Sequence, residues 1–398
     1  MTAARSYATS YLSLVEGQSN LHILTGATVK RISLQQDASS CAADGVVFRC
    51  HGQEYTVFAS REVILSAGTV QSPQILELSG IGHPDILARA GIPLNIASPC
   101  VGENLQDHLM LATIFEVDPT LENPDDLLKD NTAAVHAQQQ YNANKTGPLT
   151  ILPCSICYVP LTTFVQDSTM EDMQSWATAH SVYDKDKTKV AANRFSCDAN
   201  LGQIEYIFDL GNWSTFFKGE AGKKYGTMLQ MLQYPFSVGS VHIRPRSGTK
   251  EDEAARDGVI IDPGYYHGNH GKLDLDVMTE GARFLEKIVT TKPLADIIRH
   301  PVAPDAGVLK EHGKLRDWIL QNTITDWHPV GTCGMGGRAG RGGGVVNERL
   351  QVYGVKNLRI IDASIMPLQI SAHLQATVYA IAEKGAHMIL EDLDRQRM

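Results

Sequence analysis

Hydrophobic and polar positions along the first hundred residues form short runs of β-type residues separated by turn residues. Gly26, Gly45 and Gly52 lie between these runs, where glycine permits the backbone conformations that turns need. The pattern predicts five strands, over Leu21 to Thr25, Thr28 to Leu34, Val46 to Arg49, Glu54 to Ala59 and Glu62 to Ser66.

The last of these strands leads into a predicted helix. Val63-Ile64-Leu65 is a continuous apolar run, as expected of a strand that is covered on both faces. Ser72-Pro73 is typical of an N-cap followed by the first helical residue, so the helix is predicted to begin there. Ser79 to Gly82 should end it. A second short helix is predicted over His83 to Arg89, and Gly91 should stop it.

The rest of the chain is less regular until its carboxy-terminal part. Apolar residues recur at helical spacing along Leu273 to Val289, which predicts an amphipathic helix. The other predictions are an acidic loop over Asp118 to Asp130, strands over Met228 to Tyr234, Gly239 to Ile243 and Leu358 to Ile361, a glycine-rich loop over Gly334 to Gly344, and a long helix over Leu374 to Leu390.

Composition and charge exclude several classes of protein. The chain has 398 residues, of which 43% are hydrophobic, so it can bury a substantial core. Its 35 basic and 44 acidic residues give a net charge of -9, which argues against a nucleic-acid partner. No apolar run approaches the roughly 18 residues of a membrane span. Met1 to Gly17 lacks the apolar core of a signal peptide, and the cellular location stays open.

The seven cysteines form no recognisable framework. Only Cys154 and Cys157 have suggestive spacing, and a structural zinc site would need a second such pair. The favoured interpretation is that both are free cysteines in a short apolar segment, and the alternative is a redox or metal-binding role. This usage fits a reducing compartment without proving one.

Candidate chemistry begins in the segment from Gly68 to Gly82. A glycine after a buried strand lets the backbone approach a ligand, and a helix start at Ser72-Pro73 would offer free N–H groups. A tight strand–turn–helix without any ligand explains the same residues equally well.

Two histidines lie at the ends of predicted elements. Pro329 biases His328 toward extended backbone, which would hold its ring in a fixed direction. His373 comes just before the last helix, after the strand-end segment Asp362 to Pro367, and ligands bind at such strand ends in α/β sheets. The pair suggests one site with a base and a hydrogen-bonding partner. For His328 taken alone, a histidine that makes only a local hydrogen bond is the favoured interpretation.

Taken together, these motifs resemble the glucose–methanol–choline (GMC) oxidoreductases, a family of FAD flavoproteins. Gly68 to Gly82 is similar to the family's second signature, and Ser371 to Gln375 is most similar to aryl-alcohol-oxidase-like members. As a whole, the chain resembles the aryl-alcohol-oxidase-like and choline-dehydrogenase-like members. The resemblance spans nearly the whole chain, and its other motifs follow in order at Val101 to His108, Pro235 to Val241, Ile261 to Pro263, His328 to Thr332, Val345 to Leu350, Leu358 to Ser364 and Ala380 to Lys384.

The resemblance implies FAD-dependent oxidation of the CH–OH group of a small-molecule alcohol. A hydride passes to the flavin while His328 takes the hydroxyl proton and His373 hydrogen-bonds the substrate oxygen. No metal is implied. The cofactor contacts that it implies are at Val29, Asn104, Trp327, Ala363, Leu374 and Gln375. For Asn104, a side chain that only stabilises a turn is an equally good interpretation.

The implied fold is α/β, and α+β overall: a split FAD-binding domain with an inserted antiparallel-sheet substrate domain. Residues 1–115 and 321–398 would form the FAD-binding domain, and residues 116–320 the substrate domain. The oligomeric state stays open.

One family feature is not matched. No Gly-x-Gly-x-x-Gly loop occurs, Gly334 to Gly344 lacks its spacing, and Met1 to Tyr7 resembles an internal family segment. We therefore expect a family member without the opening βαβ unit that cradles the FAD phosphates, and weak FAD binding. The alternatives are an FAD-poor inactive family member and a non-catalytic binding protein. The two histidines favour an enzyme over a binding protein, and the missing loop favours the inactive form.

Overall fold

The computed structural model describes residues 7–37, 40–150, 155–246, 258–337 and 343–397. Helices account for 38% of the structure and strands for 25%, which confirms the mixed class. The α-helices in these ranges are α1 (Thr9–Val15), α2 (Gly68–Leu78), α3 (Pro84–Ala90), α4 (Asp125–Lys129), α5 (Asn131–Asn144), α6 (Asp167–Ala179), α7 (Lys185–Asn193), α8 (Gly268–Val289), α9 (Leu294–Ile297), α10 (Ala306–Lys310), α11 (His312–Asn322) and α12 (Gln375–Arg397).

The strands of the described residues form five sheets. They are β1 (Ala27–Gln36), β2 (Cys41–Cys50), β3 (Gln53–Phe58), β4 (Val63–Leu65), β5 (Ile81–Gly82), β6 (Ile96–Ala97), β7 (Glu103–Leu105), β8 (Leu109–Val117), β9 (Ser155–Val159), β10 (Ile204–Leu210), β11 (Tyr225–Leu232), β12 (Gly239–Ile243), β13 (Val259–Asp262), β14 (Ile298–Ala303), β15 (Ile324–Thr325) and β16 (Leu358–Ile360). The sheet orders are β1-β2-β3, β14-β8-β11-β10-β9 with β15 beside β8, β13-β12-β7, β16-β4 and β5-β6.

The first and last parts of the chain share one hydrophobic core. Strand β4 pairs in parallel with β16, so Val63 lies beside Leu358 and Leu65 beside Ile360. Buried residues of α2, such as Leu76, pack into the same cluster as these strands. Residues almost 300 positions apart thus build one body, which brings the carboxy-terminal motifs next to the Gly68 segment.

Helix α2 begins at Gly68, so the prediction of a start at Ser72-Pro73 is wrong. The carboxylate of Asp362 accepts hydrogen bonds from the Gly68 N–H at 2.9 Å and from the Ser72 hydroxyl at 2.6 Å, and so it caps the helix from outside. Pro73 lies inside the helix and cannot donate to the carbonyl of Thr69. The hydroxyl of Thr332 donates to that carbonyl instead, at 2.6 Å. Tertiary contacts therefore permit the earlier start.

Two other strand expectations also fail. Leu21 to Thr25 is not a strand, and its apolar residues Leu21, Ile23 and Leu24 are exposed, because no strand among the described residues pairs with this segment. Strand β4 is not covered on both faces: Ile64 is 45% exposed while its neighbours are buried. The acidic segment after Asp118 contains the short helix α4 rather than only a loop.

Most other predicted elements are confirmed, with ends that differ by a few residues. They are the strands at β1, β2, β3, β11, β12 and β16 and the helices α3, α8 and α12. Cys157 lies exposed on β9, whereas its predicted neighbour Cys154 lies outside the described residues, as do Met1 to Ser6 and residues 338–342 of the glycine-rich loop.

The six-stranded sheet separates a large core from a smaller apolar face. Tyr206 on β10 packs into a cluster with Met278 and Leu285 of α8. On the other face, Ile207 packs with Met231 of β11 and with neighbouring apolar side chains. Because strand side chains alternate between faces, Glu205 lies on the same face as Ile207. No helix among the described residues is long and apolar enough to cross a membrane.

Candidate active site

His328 and His373 lie side by side. Their ring centroids are 5.1 Å apart and the rings are nearly perpendicular, at 79°. His328 follows β15 outside any helix, and His373 lies two residues before α12 begins. The structure thus brings together the two histidines that were predicted as a pair.

A third histidine, His108, determines which ring nitrogen of His328 carries the hydrogen. Nε2 of His108 lies 2.8 Å from the carbonyl of Ile370, which can only accept, so Nε2 carries the hydrogen. Burial, with a smaller contribution from the nearby His328, lowers the pKa of His108 to about 4, so this ring is neutral at neutral pH. Its Nδ1 is then an acceptor, and it lies 3.0 Å from Nδ1 of His328.

It follows that neutral His328 carries its hydrogen on Nδ1 and leaves the lone pair on Nε2. A carboxylate oxygen of Asp326 lies 2.9 Å from the same Nδ1, off the direction of the hydrogen bond to His108. This contact is therefore electrostatic and not a hydrogen bond. If Nε2 accepts a proton, the carboxylate stabilises the resulting imidazolium.

The backbone around His328 is held from several sides. Its N–H donates to Asp107 at 2.9 Å, and its carbonyl accepts from the side-chain amide of Gln369 at 2.8 Å. Thr69 of α2 donates to the next carbonyl, that of Pro329, at 2.7 Å. Asp107 also accepts from the Tyr265 hydroxyl at 2.6 Å, and burial raises the pKa of its carboxyl. These contacts fix the ring position without touching Nε2.

His373 has its own carboxylate partner. Its Nε2 lies 2.9 Å from an oxygen of Glu205, a fully buried residue of β10. The hydrogen bond with Glu205 raises the pKa of His373, although partial burial opposes the shift. The loop that carries the ring is tied to the same strand region, because the Ser371 hydroxyl donates to the carbonyl of Gly202 at 2.8 Å. The two histidines therefore differ in their electrostatic surroundings.

Four residues implied as cofactor contacts lie beside the histidines in sequence or in packing. Trp327 has a positive φ of 55° and is 69% exposed. Leu374 is buried against Val330, and Ala363 packs on the same cluster. Gln375 is exposed at the first position of α12. The roles of these residues toward FAD stay predictions.

The remaining two implied contacts have different surroundings. Asn104 adopts a φ of 65°, and its amide donates to the carbonyls of Gly331 at 3.3 Å and Pro367 at 3.2 Å. These bonds are those of a side chain that stabilises turns, and they join the loop after His328 to the loop before His373. Val29 lies on β1 in a separate three-stranded sheet and is 38% exposed.

The sequence interpretation missed His108, Asp326 and Glu205. The first lies inside a family-like segment but was not assigned a role, and the second is only two residues before His328. No sequence feature marks Glu205 as functional, because it lies in a strand of otherwise ordinary composition. His108, Asp326 and His328 each have an atom that could bind a metal ion, and these atoms lie within 4.8 Å of one another. Their direct contacts of 3.0 and 2.9 Å are accounted for by a shared hydrogen and by charge.

Two family models for GMC oxidoreductases match the chain, over residues 2–110 and 235–382. The chain belongs to the GMC oxidoreductase family. Dehydrogenase citC of Monascus ruber is 34% identical over 98% of the chain and 64% of its own length. The chain therefore spans somewhat less than two thirds of this curated relative.

Solved structures agree with this assignment. An FAD-dependent oxidoreductase from Chaetomium thermophilum is 26% identical, with a TM-score of 0.82 over 99% of the chain and 66% of that structure. A fungal aryl-alcohol oxidase is 25% identical, with a TM-score of 0.78 over 98% of the chain and 65% of that structure. The family and these FAD-dependent neighbours indicate FAD as the cofactor.

Proposed function

We propose that the protein oxidises the CH–OH group of a small alcohol with His328 as the base. The observation that carries the proposal is the set of contacts made by His108 and His328, from which the hydrogen positions on His328 follow. Its Nδ1 hydrogen is engaged by His108, and Nε2 is left as the acceptor beside His373. A neutral imidazole with a free nitrogen is what general-base catalysis requires.

The residues around the pair determine where the proton goes. Nε2 of His328 takes the hydroxyl proton, and the charge that forms on this ring is offset by Asp326. His373 donates a hydrogen bond to the substrate oxygen, which becomes more negative as its proton leaves. Bound FAD would supply the redox chemistry by accepting the hydride from the substrate carbon.

Two features beside the histidines support placing the ring end of FAD there. The indole of Trp327 is largely exposed next to His328, and a planar apolar ring can cover such a side chain. The first turn of α12, which begins at Gln375, has N–H groups without intrahelical acceptors, and these favour electron-rich oxygens. We therefore assign Trp327, Ala363, Leu374 and Gln375 to this end of the cofactor, with Asn104 positioning the loops. Val29, on its own sheet, is assigned to the adenine end.

The test is reduction of bound flavin by alcohols without oxygen. The FAD-loaded protein is mixed anaerobically with benzylic, allylic and short aliphatic primary alcohols, and the oxidised-flavin absorbance is followed at about 450 nm. We expect at least one class to bleach this absorbance. Admitting oxygen afterwards distinguishes an oxidase from a dehydrogenase, because only an oxidase reoxidises rapidly.

His300 provides a matched control. It lies exposed on β14, outside the histidine pair, so His300→Ala should reduce its flavin at the parental rate. If dithionite bleaches the flavin but no alcohol does, the proposed reaction is wrong.

A further inference from the structure

Glu205 is a buried carboxylate on the apolar face of the six-stranded sheet. It is fully buried, and Met231 lies directly opposite it on β11. One oxygen contacts His373 and the other accepts from the amide of Gln233 at 2.9 Å. Burying a carboxylate costs several kcal/mol unless its partners compensate, so this charge must be offset by its neighbours. Tyr158 also interacts with Glu205, and of the Glu205 partners among the described residues only His373 can carry a positive charge.

The surroundings of His373 come from several elements. Glu205 approaches from β10 and Tyr158 from the adjacent position on β9. Asp326 and His328 approach from the loop after β15, and buried His108 lies behind His328. Both carboxylates favour the protonated ring of His373, whereas the neighbouring histidines are positioned to oppose it only when they are charged. The direct contact with Glu205 is the dominant one.

We propose that Glu205 is a positioning residue that holds His373 by its Nε2 hydrogen and keeps the ring an imidazolium whose Nδ1–H faces the substrate oxygen. This inference rests on the proposed function, and it assigns the two histidines different roles. His328 accepts the hydroxyl proton, and His373 donates to the oxygen without giving up its own proton. Strand β10 of the six-stranded sheet thereby determines which histidine can act as the base.

The exchange of protons balances without a further reactant. The substrate O–H bond breaks, the proton forms a bond to Nε2 of His328, and the electron pair stays on the oxygen. Nδ1–H of His373 then donates to an oxygen with more negative charge, where a charge-assisted hydrogen bond is stronger. A neutral His373 has a single N–H, so it could not donate to the substrate oxygen from Nδ1 and to Glu205 from Nε2 at the same time.

The test is the titration of His373 in Glu205→Gln, followed by NMR of histidine-labelled protein. His373→Asn identifies the signal, and neither flavin nor alcohol is needed. Glu205→Gln keeps the size of the side chain and removes its charge, so the midpoint of His373 should move to lower pH. The control is Glu116→Gln, which neutralises a carboxylate on β8 of the same sheet that pairs with Lys223. It should leave the midpoint unchanged.

The chemical reactivity of His373 provides a second test. Diethyl pyrocarbonate modifies neutral imidazole, so His373 should react faster in Glu205→Gln than in the parent at neutral pH. If Glu205→Gln does not fold, Glu205→Asp replaces it, because the shorter carboxylate weakens the contact and should give a smaller shift in the same direction. An unchanged midpoint and unchanged reactivity in the variant that folds would overturn the proposal.

The outcome is separable from that of the proposed function. If alcohols do not reduce the flavin but His373 titrates as expected, the pairing with Glu205 stands and the reaction is wrong. If alcohols reduce the flavin but Glu205→Gln leaves the titration of His373 unchanged, the reaction stands and the role of Glu205 is wrong.

Discussion

Nδ1 of His242 lies 2.7 Å from a carboxylate oxygen of Glu77, and this contact joins β12 to α2. Glu77 is fully buried, and its second oxygen accepts the backbone N–H of Ile243 at 2.8 Å. Nε2 of His242 lies 3.3 Å from Glu103 on β7. Helix α2, which contacts the His328 loop through Thr69, is therefore attached to the sheet β13-β12-β7 by a histidine between two carboxylates.

This histidine should make the stability of the protein depend on alkaline pH. Burial alone would lower the pKa of His242, but hydrogen bonds and charge from Glu103 and Glu77 outweigh it and raise the pKa to about 9. The pKa of His242 is therefore higher in the folded state than in the unfolded state, where it is near 6.5. Its stabilising contribution to folding is complete below about pH 6.5 and is lost as the pH rises through 9. Because the ring retains some solvent contact, we expect about 1 to 2 kcal/mol.

The measurement is urea unfolding of the parent and of His242→Gln at about pH 6 and about pH 10. Comparing the two proteins removes the effect of other titrating groups. The difference in unfolding free energy should be larger at the lower pH. An equal difference at both pH values would contradict the prediction.

The hydroxyl of Thr332 should contribute to stability because of Pro73. Thr332→Val keeps the shape but leaves the buried carbonyl of Thr69 without its donor, which should cost about 1 to 2 kcal/mol. In a Pro73→Ala background, the backbone gains an N–H that can donate to that carbonyl, so the same substitution should cost less. Denaturant unfolding of the four proteins in this double-mutant cycle measures the coupling. Additive costs would show that the two residues act independently.

The sequence could predict elements whose signals are local. Helix α8 followed from its apolar spacing, and α3 from Gly91, which adopts a left-handed conformation with φ 70°. The start of α2 could not be placed, since its cap is Asp362, which is 294 positions from Gly68. The strand expected at Leu21 to Thr25 had suitable residues but no partner, and β-propensity without pairing does not make a strand.

The same limit applied to the site. Pro329 and the approaching helix marked His328 and His373 as residues at element ends. Their partners His108 and Glu205 lie 220 and 168 positions away, and only the packing of the six-stranded sheet against these loops brings them into contact. A buried glutamate in an apolar strand has no sequence signature that distinguishes it from a surface residue.

Gly331 should be required for the geometry of the His328 loop. It has a φ of 99°, and a Cβ there would overlap the carbonyl oxygen of Asn104 and approach its amide nitrogen to 2.8 Å. Gly331→Ala should therefore destabilise the protein by about 2 kcal/mol or more. Gly337→Ala is the control, because a Cβ at that glycine meets no atom of the described residues within 4 Å. Thermal melting of both variants provides the comparison, and equal melting temperatures would refute the steric argument.

Replacing the two histidines should have unequal effects on catalysis. His328→Ala removes the base and should slow flavin reduction by about 100- to 10,000-fold. His373→Asn should cost less, because an amide can still donate a hydrogen bond to the substrate oxygen. Stopped-flow reduction of the FAD-loaded variants by a substrate alcohol measures both rates. A parental rate for His328→Ala would remove its assignment as the base, and a greater loss for His373→Asn would exchange the roles.

Asp326→Asn should slow catalysis without lowering the stability of the protein. Oδ2 of Asp326 lies 2.9 Å from Nδ1 of His328 and accepts no hydrogen bond from a described residue, so its charge is offset mainly by the histidine. Removing the charge withdraws stabilisation from the imidazolium that forms when Nε2 takes the proton, and flavin reduction should slow by about 10- to 1,000-fold. Because Asp326 is partly buried and its Oδ2 accepts no hydrogen bond within the described part of the chain, neutralising it should leave the melting temperature unchanged or higher. A slower reaction together with a lower melting temperature would instead indicate that Asp326 serves the fold, and an unchanged rate would show that His328 acts without it.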